Sequence, residues 1–221
     1  MLLSRTATKA LALALVAASS ISACQAGSSK KPQADKTSQS NCSGSLNSAA
    51  TKAVANLLDT EDYTTSSVHD GVDGAAKQIV SEYRTHGVTQ GNKVGVCWIY
   101  GSQKDLSDIT VSFSFQTEVP NSNRVSSNFT TYKMGSLALA NSRQAVIYIR
   151  CSSVKFASNG TRETLVLRGE ATNRYEPDGA SSALQKENLT VIHSVSAAVA
   201  KALGCEGGAG LPSNFTMPAR A

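Results

Sequence analysis

Residues 42–221 predict one α+β domain: an antiparallel sheet of about five strands, with two N-terminal helices and a long C-terminal helix packed on one face. Three observations carry this expectation. Apolar residues recur at helical spacing over 45–58 and 72–86, the period switches to two from residue 94, and a helical stripe returns over 181–204. The chain's 221 residues suffice for one domain with a sizeable core. Only 5% are aromatic, so that core must draw on Ala, Val, Leu and Ile.

The first helix places Leu46, Ala49, Ala50, Ala53, Val54, Leu57 and Leu58 on one face. The second repeats the pattern with Val72, Ala75, Ala76, Ile79, Val80 and Tyr83; Asp70 or Asp73 is its expected cap and Gly87 its stop. Residues 94–100 form a short apolar strand. Over 108–118 the alternation is clean, with Ile109, Val111, Phe113 and Phe115 facing the core and Thr110, Ser112, Ser114 and Gln116 making a wet face. A polar loop covers 119–130. Strands are then expected over 131–139 and 144–151, joined by a turn at Asn141-Ser142-Arg143, and over 163–172, with Leu165, Leu167 and Ala171 on one face. After a turn at Glu176-Pro177-Asp178-Gly179, the last helix buries Leu184, Leu189, Ile192, Val195, Val199 and Leu203, and Gly204 ends it. An irregular Gly-rich tail follows Cys205.

Ahead of this domain, residues 1–23 divide into a basic start (Arg5, Lys9), an apolar run over 10–18 and a stretch of small residues. The run is too short for a permanent membrane span, which takes about 20 residues, and has the length of a signal-peptide core. It ends in Ile21-Ser22-Ala23-Cys24, which resembles the lipobox of bacterial lipoproteins, with Ile21 where Leu is usual. That resemblance implies diacylglycerol on the Cys24 sulfur and cleavage just before it. Two acyl chains anchor stably because each buried CH₂ contributes about 0.8 kcal/mol. The expected place is the outer face of the cytoplasmic membrane, with lipid as the first partner. Residues 24–41 then form the lipidated Cys and a disordered tether that reaches roughly 20–25 Å. Lys30, Lys31 and Lys36 on this tether read as solvated rather than as headgroup contacts.

With Cys24 spent on lipid, Cys42, Cys97, Cys151 and Cys205 remain, an even number that reads as two disulfides in an exported chain. Three connectivities are possible. Cys42–Cys97 with Cys151–Cys205 is favoured, because each bridge then staples a helix end to a strand. Each closes a loop of about 55 residues, worth roughly 4 kcal/mol. No Cys-x-x-Cys pair occurs and no His lies near a Cys in sequence, so neither a zinc site nor another metal or cofactor is expected.

The sequence from Cys42 onward resembles an uncharacterised family of actinobacterial lipoproteins. The resemblance lies in Cys42 before the first helix, Cys97-x-Trp98 on the first strand, Tyr132-x-Met134-Gly135-x-x-Ala138, a strand closing on Cys151 and a final Ala-rich helix. It covers most of residues 42–204 and brings no catalytic residues with it.

Catalytic motifs are absent from the sequence: no Gly-x-Ser-x-Gly elbow, phosphate-binding Gly loop or His-Glu-x-x-His occurs. Gly207-Gly208-Ala209-Gly210 follows a helix rather than a strand, which argues against a phosphate cradle. His69, His86 and His193 read as structural, and the pairs Glu61/Asp62 and Asp105/Asp108 as solvated turns. Sequons at Asn128, Asn159, Asn188 and Asn214 are chance matches in a bacterial lipoprotein. Removing Arg5 and Lys9 with the signal leaves 19 basic against 16 acidic side chains, a net +3. That is too scattered to neutralise a nucleic acid. The expectation is a non-enzymatic module of the cell envelope, either binding a protein, glycan or small ligand or serving an accessory, structural role. The alternative is an enzyme acting on cell-wall polymer without a recognisable motif.

Overall fold

In the computed structural model, which describes residues 41–88, 92–101, 106–157 and 159–221, the helical stripes become α1 (Ser48–Leu58), α2 (Val72–His86) and α3 (Ser181–Leu203). The expected signal peptide, Cys24, its tether to residue 40, and Asp105 lie outside the described residues. The first helix starts at residue 48 rather than 45, because the Asn47 side chain caps it by accepting the Ala50 N–H at 2.9 Å. Its predecessors Cys42 and Ser43 hold positive φ angles in a tight turn.

The cap of α2 differs from expectation. Gly71 occupies the N-cap position with φ 88°, no side chain caps the helix, Asp70 lies in the left-handed region and Asp73 lies inside the first turn. The physical reason is the neighbouring 42–44 turn. A Cβ on Gly71 would sit 2.8 Å from the Ser43 Cβ, so the close approach of the two turns, rather than a capping carboxylate, decides the helix start. Gly87 and Gly204 end α2 and α3 as predicted, with φ 66° and 68°.

The sheet is antiparallel throughout, as expected, but it has seven strands rather than about five. They are β1 (Thr64–Ser67), β2 (Val94–Tyr100), β3 (Ile109–Gln116), β4 (Thr130–Tyr132), β5 (Leu137–Ala140), β6 (Gln144–Ser153) and β7 (Glu163–Asn173), in the order β1-β2-β3-β7-β6-β5-β4. Two changes account for the difference. The expected strand over 131–139 folds back on itself, pairing Tyr132 with Ala138 around Gly135. Gly135 has φ 60°, and a Cβ there would lie 2.7 Å from the Tyr148 carbonyl oxygen. The polar segment Thr64–Ser67 becomes an edge strand through backbone pairing with β2, which no hydropathy pattern announces.

All three helices lie on one face. The core there joins Ala50, Val54 and Leu57 of α1, Ala75 and Ile79 of α2, and Leu189, Ile192, Val195 and Val199 of α3 to Ile109, Val111, Phe113, Ile147, Ile149 and Leu167 of the sheet. Because α1, α2, the sheet and the C-terminal tail close around α3, its Gln185, Asn188, Thr190, His193, Ser194 and Ser196 are buried as well. Ser194 Oγ accepts the Asn47 N–H and donates to the Ser45 carbonyl, both at 2.9 Å, locking the start of α1 to α3.

On the opposite face Leu137, Leu139, Val146, Tyr148 and Val166 form a second, smaller cluster. Val119, Val125 and Phe129 of the expected polar loop pack over it. Its burial corrects the wet-face expectation in part: Thr110 is exposed, Ser112 and Gln116 are half-buried, and Ser114 is only 7% exposed.

The bridges are Cys42–Cys97 and Cys151–Cys205. The first ties the turn before α1 to β2, and the second ties β6 to Cys205, just past the Gly204 stop of α3. The tail is more ordered than its composition suggested: the Lys133 N–H donates to the Ala219 carbonyl and the Ala221 N–H to the Thr131 carbonyl, extending the sheet past β4.

Candidate functional site

The histidines take up three separate environments. His69 lies in a left-handed turn, and His86 is an exposed residue 3.8 Å from Glu82 on α2. His193 is fully buried on α3. Its Nε2 lies 2.9 Å from the Pro212 carbonyl, so the neutral ring carries its proton there and Nδ1 is left buried without a partner. Burial lowers its pKa, partly opposed by the Pro212 carbonyl. Among the described residues no group of three or more His, Cys, Asp and Glu is placed to hold a metal ion.

Charge is instead gathered on the sheet face opposite the helices, where sequence reasoning assigned no site. Glu170 stands on β7 opposite Ser112 of β3 and Val146 of β6, and is 7% exposed. Arg168, two residues earlier on the same strand and so on the same face, donates to it twice, at 2.7 and 3.1 Å. Lys93 Nζ donates to Glu170 Oε2 at 2.7 Å, and Gln144 donates to Oε1. Burial alone would raise the Glu170 pKa. The hydrogen bonds from Arg168 and Lys93, with their charges, outweigh burial and hold it at about 2. Arg168 is correspondingly held above its ordinary value, burial being outweighed by Glu170. The signal was legible as Arg-x-Glu in a strand whose alternate residues are apolar, since period two puts both charges on one face. Beyond this cluster Trp98 is 42% exposed on the same face, beside the exposed Thr110 opposite it on β3.

Two clefts border α1. A groove of about 920 Å³ runs along its outer side, lined by Leu46, Thr51, Lys52, Asp59, Glu61 and Tyr63. A second, of about 540 Å³, opens between the end of α1, the start of β3 and the end of β7. Both volumes fall in the range of small-ligand sites. The second brings together one member of each acidic pair singled out in the sequence, Asp62 and Asp108, with Asp59, Asn173 and the exposed Tyr175. Asp108 is fixed there by the Gly101 N–H, which donates to its Oδ2 at 2.7 Å. Glu61 instead lines the first groove.

No family model, curated protein or solved structure matches this chain.

Proposed function

We propose that this chain is an extracytoplasmic lipoprotein, related to the actinobacterial group it resembles, anchored through lipid on Cys24 to the outer face of the cytoplasmic membrane. Its disulfide-stapled domain acts as a non-catalytic binding module of the cell envelope. The cysteine pairing carries this reading. Of five cysteines in the chain, Cys42, Cys97, Cys151 and Cys205 are paired with one another, so Cys24, directly after Ile21-Ser22-Ala23, is the cysteine the two bridges do not use, and the lipobox resemblance makes it the acyl acceptor of this proposal. Bridges of this kind suit an oxidising compartment. The surfaces described above, a charged and aromatic sheet face and two open clefts, supply recognition rather than a nucleophile activated by a base.

Growing the producing cells with radioactive palmitate tests the anchor. The chain takes up label and Cys24→Ser does not; label that persists in Cys24→Ser refutes lipidation at that residue.

A further inference from the structure

The open sheet face beyond the Glu170 cluster carries the one tryptophan of the chain, and the strand register sets out what surrounds it. Ser66 of β1, Trp98 of β2, Thr110 of β3, Thr172 of β7 and Gln144 of β6 stand opposite one another in a single row. At about 5 Å between neighbouring strands, that row is roughly 20 Å long. Two residues further along β2, about 7 Å away, Tyr100 faces the same side opposite Thr64. A bulge between Gly95 and Cys97 brings Gly95 to this face as well, opposite Ser112. The position of a Cβ on Gly95 lies 3.6 Å from Trp98 Nε1, so the indole leans along β2 toward Gly95.

Lying along the strand still leaves Trp98 42% exposed, with Thr64, Ser66 and Thr110 exposed around it and Tyr100 half-buried. Among the described residues neither the Trp98 indole N–H nor the Tyr100 hydroxyl has a hydrogen-bond partner. The row from Ser66 to Gln144 contains no charged side chain. In the neighbouring row the charge is that of Glu170, which Arg168 and Lys93 already neutralise. On the other side Arg174 is turned to the Ser107 carbonyl, to which its Nε donates at 3.0 Å. The face therefore offers an aromatic surface and free hydroxyls, with no unpaired charge in the row.

We propose that this face binds an uncharged glycan chain. A sugar ring has an apolar C–H side, which rests on the Trp98 indole, and a rim of hydroxyls, which exchange hydrogen bonds with Ser66, Thr110 and Tyr100. The absence of charge along the row matches an uncharged ligand, since an ionic partner would lose its hydration there without gaining a counter-charge. A proline-rich peptide docks in an aromatic-lined groove, whereas here the aromatic side chains stand on an open face among hydroxyls. The proposal rests on the reading of the domain as a binding module and names the ligand class of its sheet face.

Because Trp98 is the chain's one tryptophan, its fluorescence reports on this face alone. The full chain, disulfides intact and held in a detergent without a sugar headgroup, is titrated with cellohexaose, maltohexaose and mannohexaose. Hexagalacturonate serves as the charged glycan and decaproline as the peptide. A saturable emission shift with at least one neutral hexasaccharide is expected, with Kd below about 1 mM and a weaker response to hexagalacturonate and decaproline. In calorimetry with the same sugar, Trp98→Ala and Thr110→Arg each weaken binding at least about tenfold, and Trp98→Phe stays within about threefold. The melting temperature of Thr110→Arg is unchanged, because that side chain is exposed. No saturable response to any neutral hexasaccharide, an equal or tighter response to hexagalacturonate, or an affinity unchanged in Thr110→Arg overturns the proposal. A shift with decaproline alone overturns the glycan and keeps the domain a binding module. A palmitate-labelled protein that binds no probe overturns the glycan and leaves the anchor standing.

Discussion

Glu170→Gln is the most informative single change, because the carboxylate is buried against two cations. Its pKa of about 2, against an ordinary 4.5, corresponds to about 3 kcal/mol of stability at neutral pH. Lys93 is more than half exposed and its share is screened, so most of that figure belongs to Arg168, whose side chain is 20% exposed. Glutamine keeps the shape and leaves the Arg168 guanidinium without its carboxylate. The expected cost of about 3 kcal/mol lowers the melting temperature by about 6–12 °C for a domain of this size. The sign with pH follows from the depressed pKa. The folded state binds the proton less readily than the unfolded chain, so the contribution is fully present above pH 4.5 and is lost as pH falls through about 2. Urea unfolding of both proteins at a series of pH values measures the gap between them. A gap near 3 kcal/mol at neutral pH that closes between pH 4.5 and 2 is the expected result. A gap that stays constant across that window, or none at neutral pH, refutes the assignment of Glu170 as the paired carboxylate.

Two further changes probe the helix face. Gly169→Ala places a Cβ 2.8 Å from Phe113 Cε1 and 3.1 Å from Ser196 Oγ, between sheet and α3, and costs about 1–3 kcal/mol by thermal melting; an unchanged melt means the contact relaxes freely. His193 resists protonation when folded, so the stability it allows is intact above pH 6.5 and declines as pH falls below it. His193→Gln retains a donor for the Pro212 carbonyl and removes that decline, which parallel melts of the two proteins across pH 7 to 5 detect; identical pH profiles contradict the buried neutral ring.

Local physics alone settled the helical stripes, their Gly87 and Gly204 stops and the strand Val94–Tyr100. Each depends on features written in consecutive residues: a 3.6 or two-residue period, or a backbone angle that glycine tolerates. The even count of thiols left three pairings open, and the favoured one, which the structure shows, was chosen by the elements each bridge would join. Tertiary structure decided what those features leave open. Thr64–Ser67 is a strand only because β2 supplies backbone partners, and the split of 131–139 depends on the nearness of Gly135 to the Tyr148 carbonyl. The polar side of α3 is buried because neighbours close over it, something its own stripe of Leu, Ile and Val could not specify. Lys93 meets Glu170 across 77 residues, and Asp62 meets Asp108 and Asn173 only where α1 ends beside β3 and β7. Periodicity assigns a residue to a face, and so made the Arg168-x-Glu170 pair legible, whereas long-range electrostatics and hydrogen bonding depend on which faces the fold brings together, and so the partners Lys93 and Gln144 and the clefts became visible only in three dimensions.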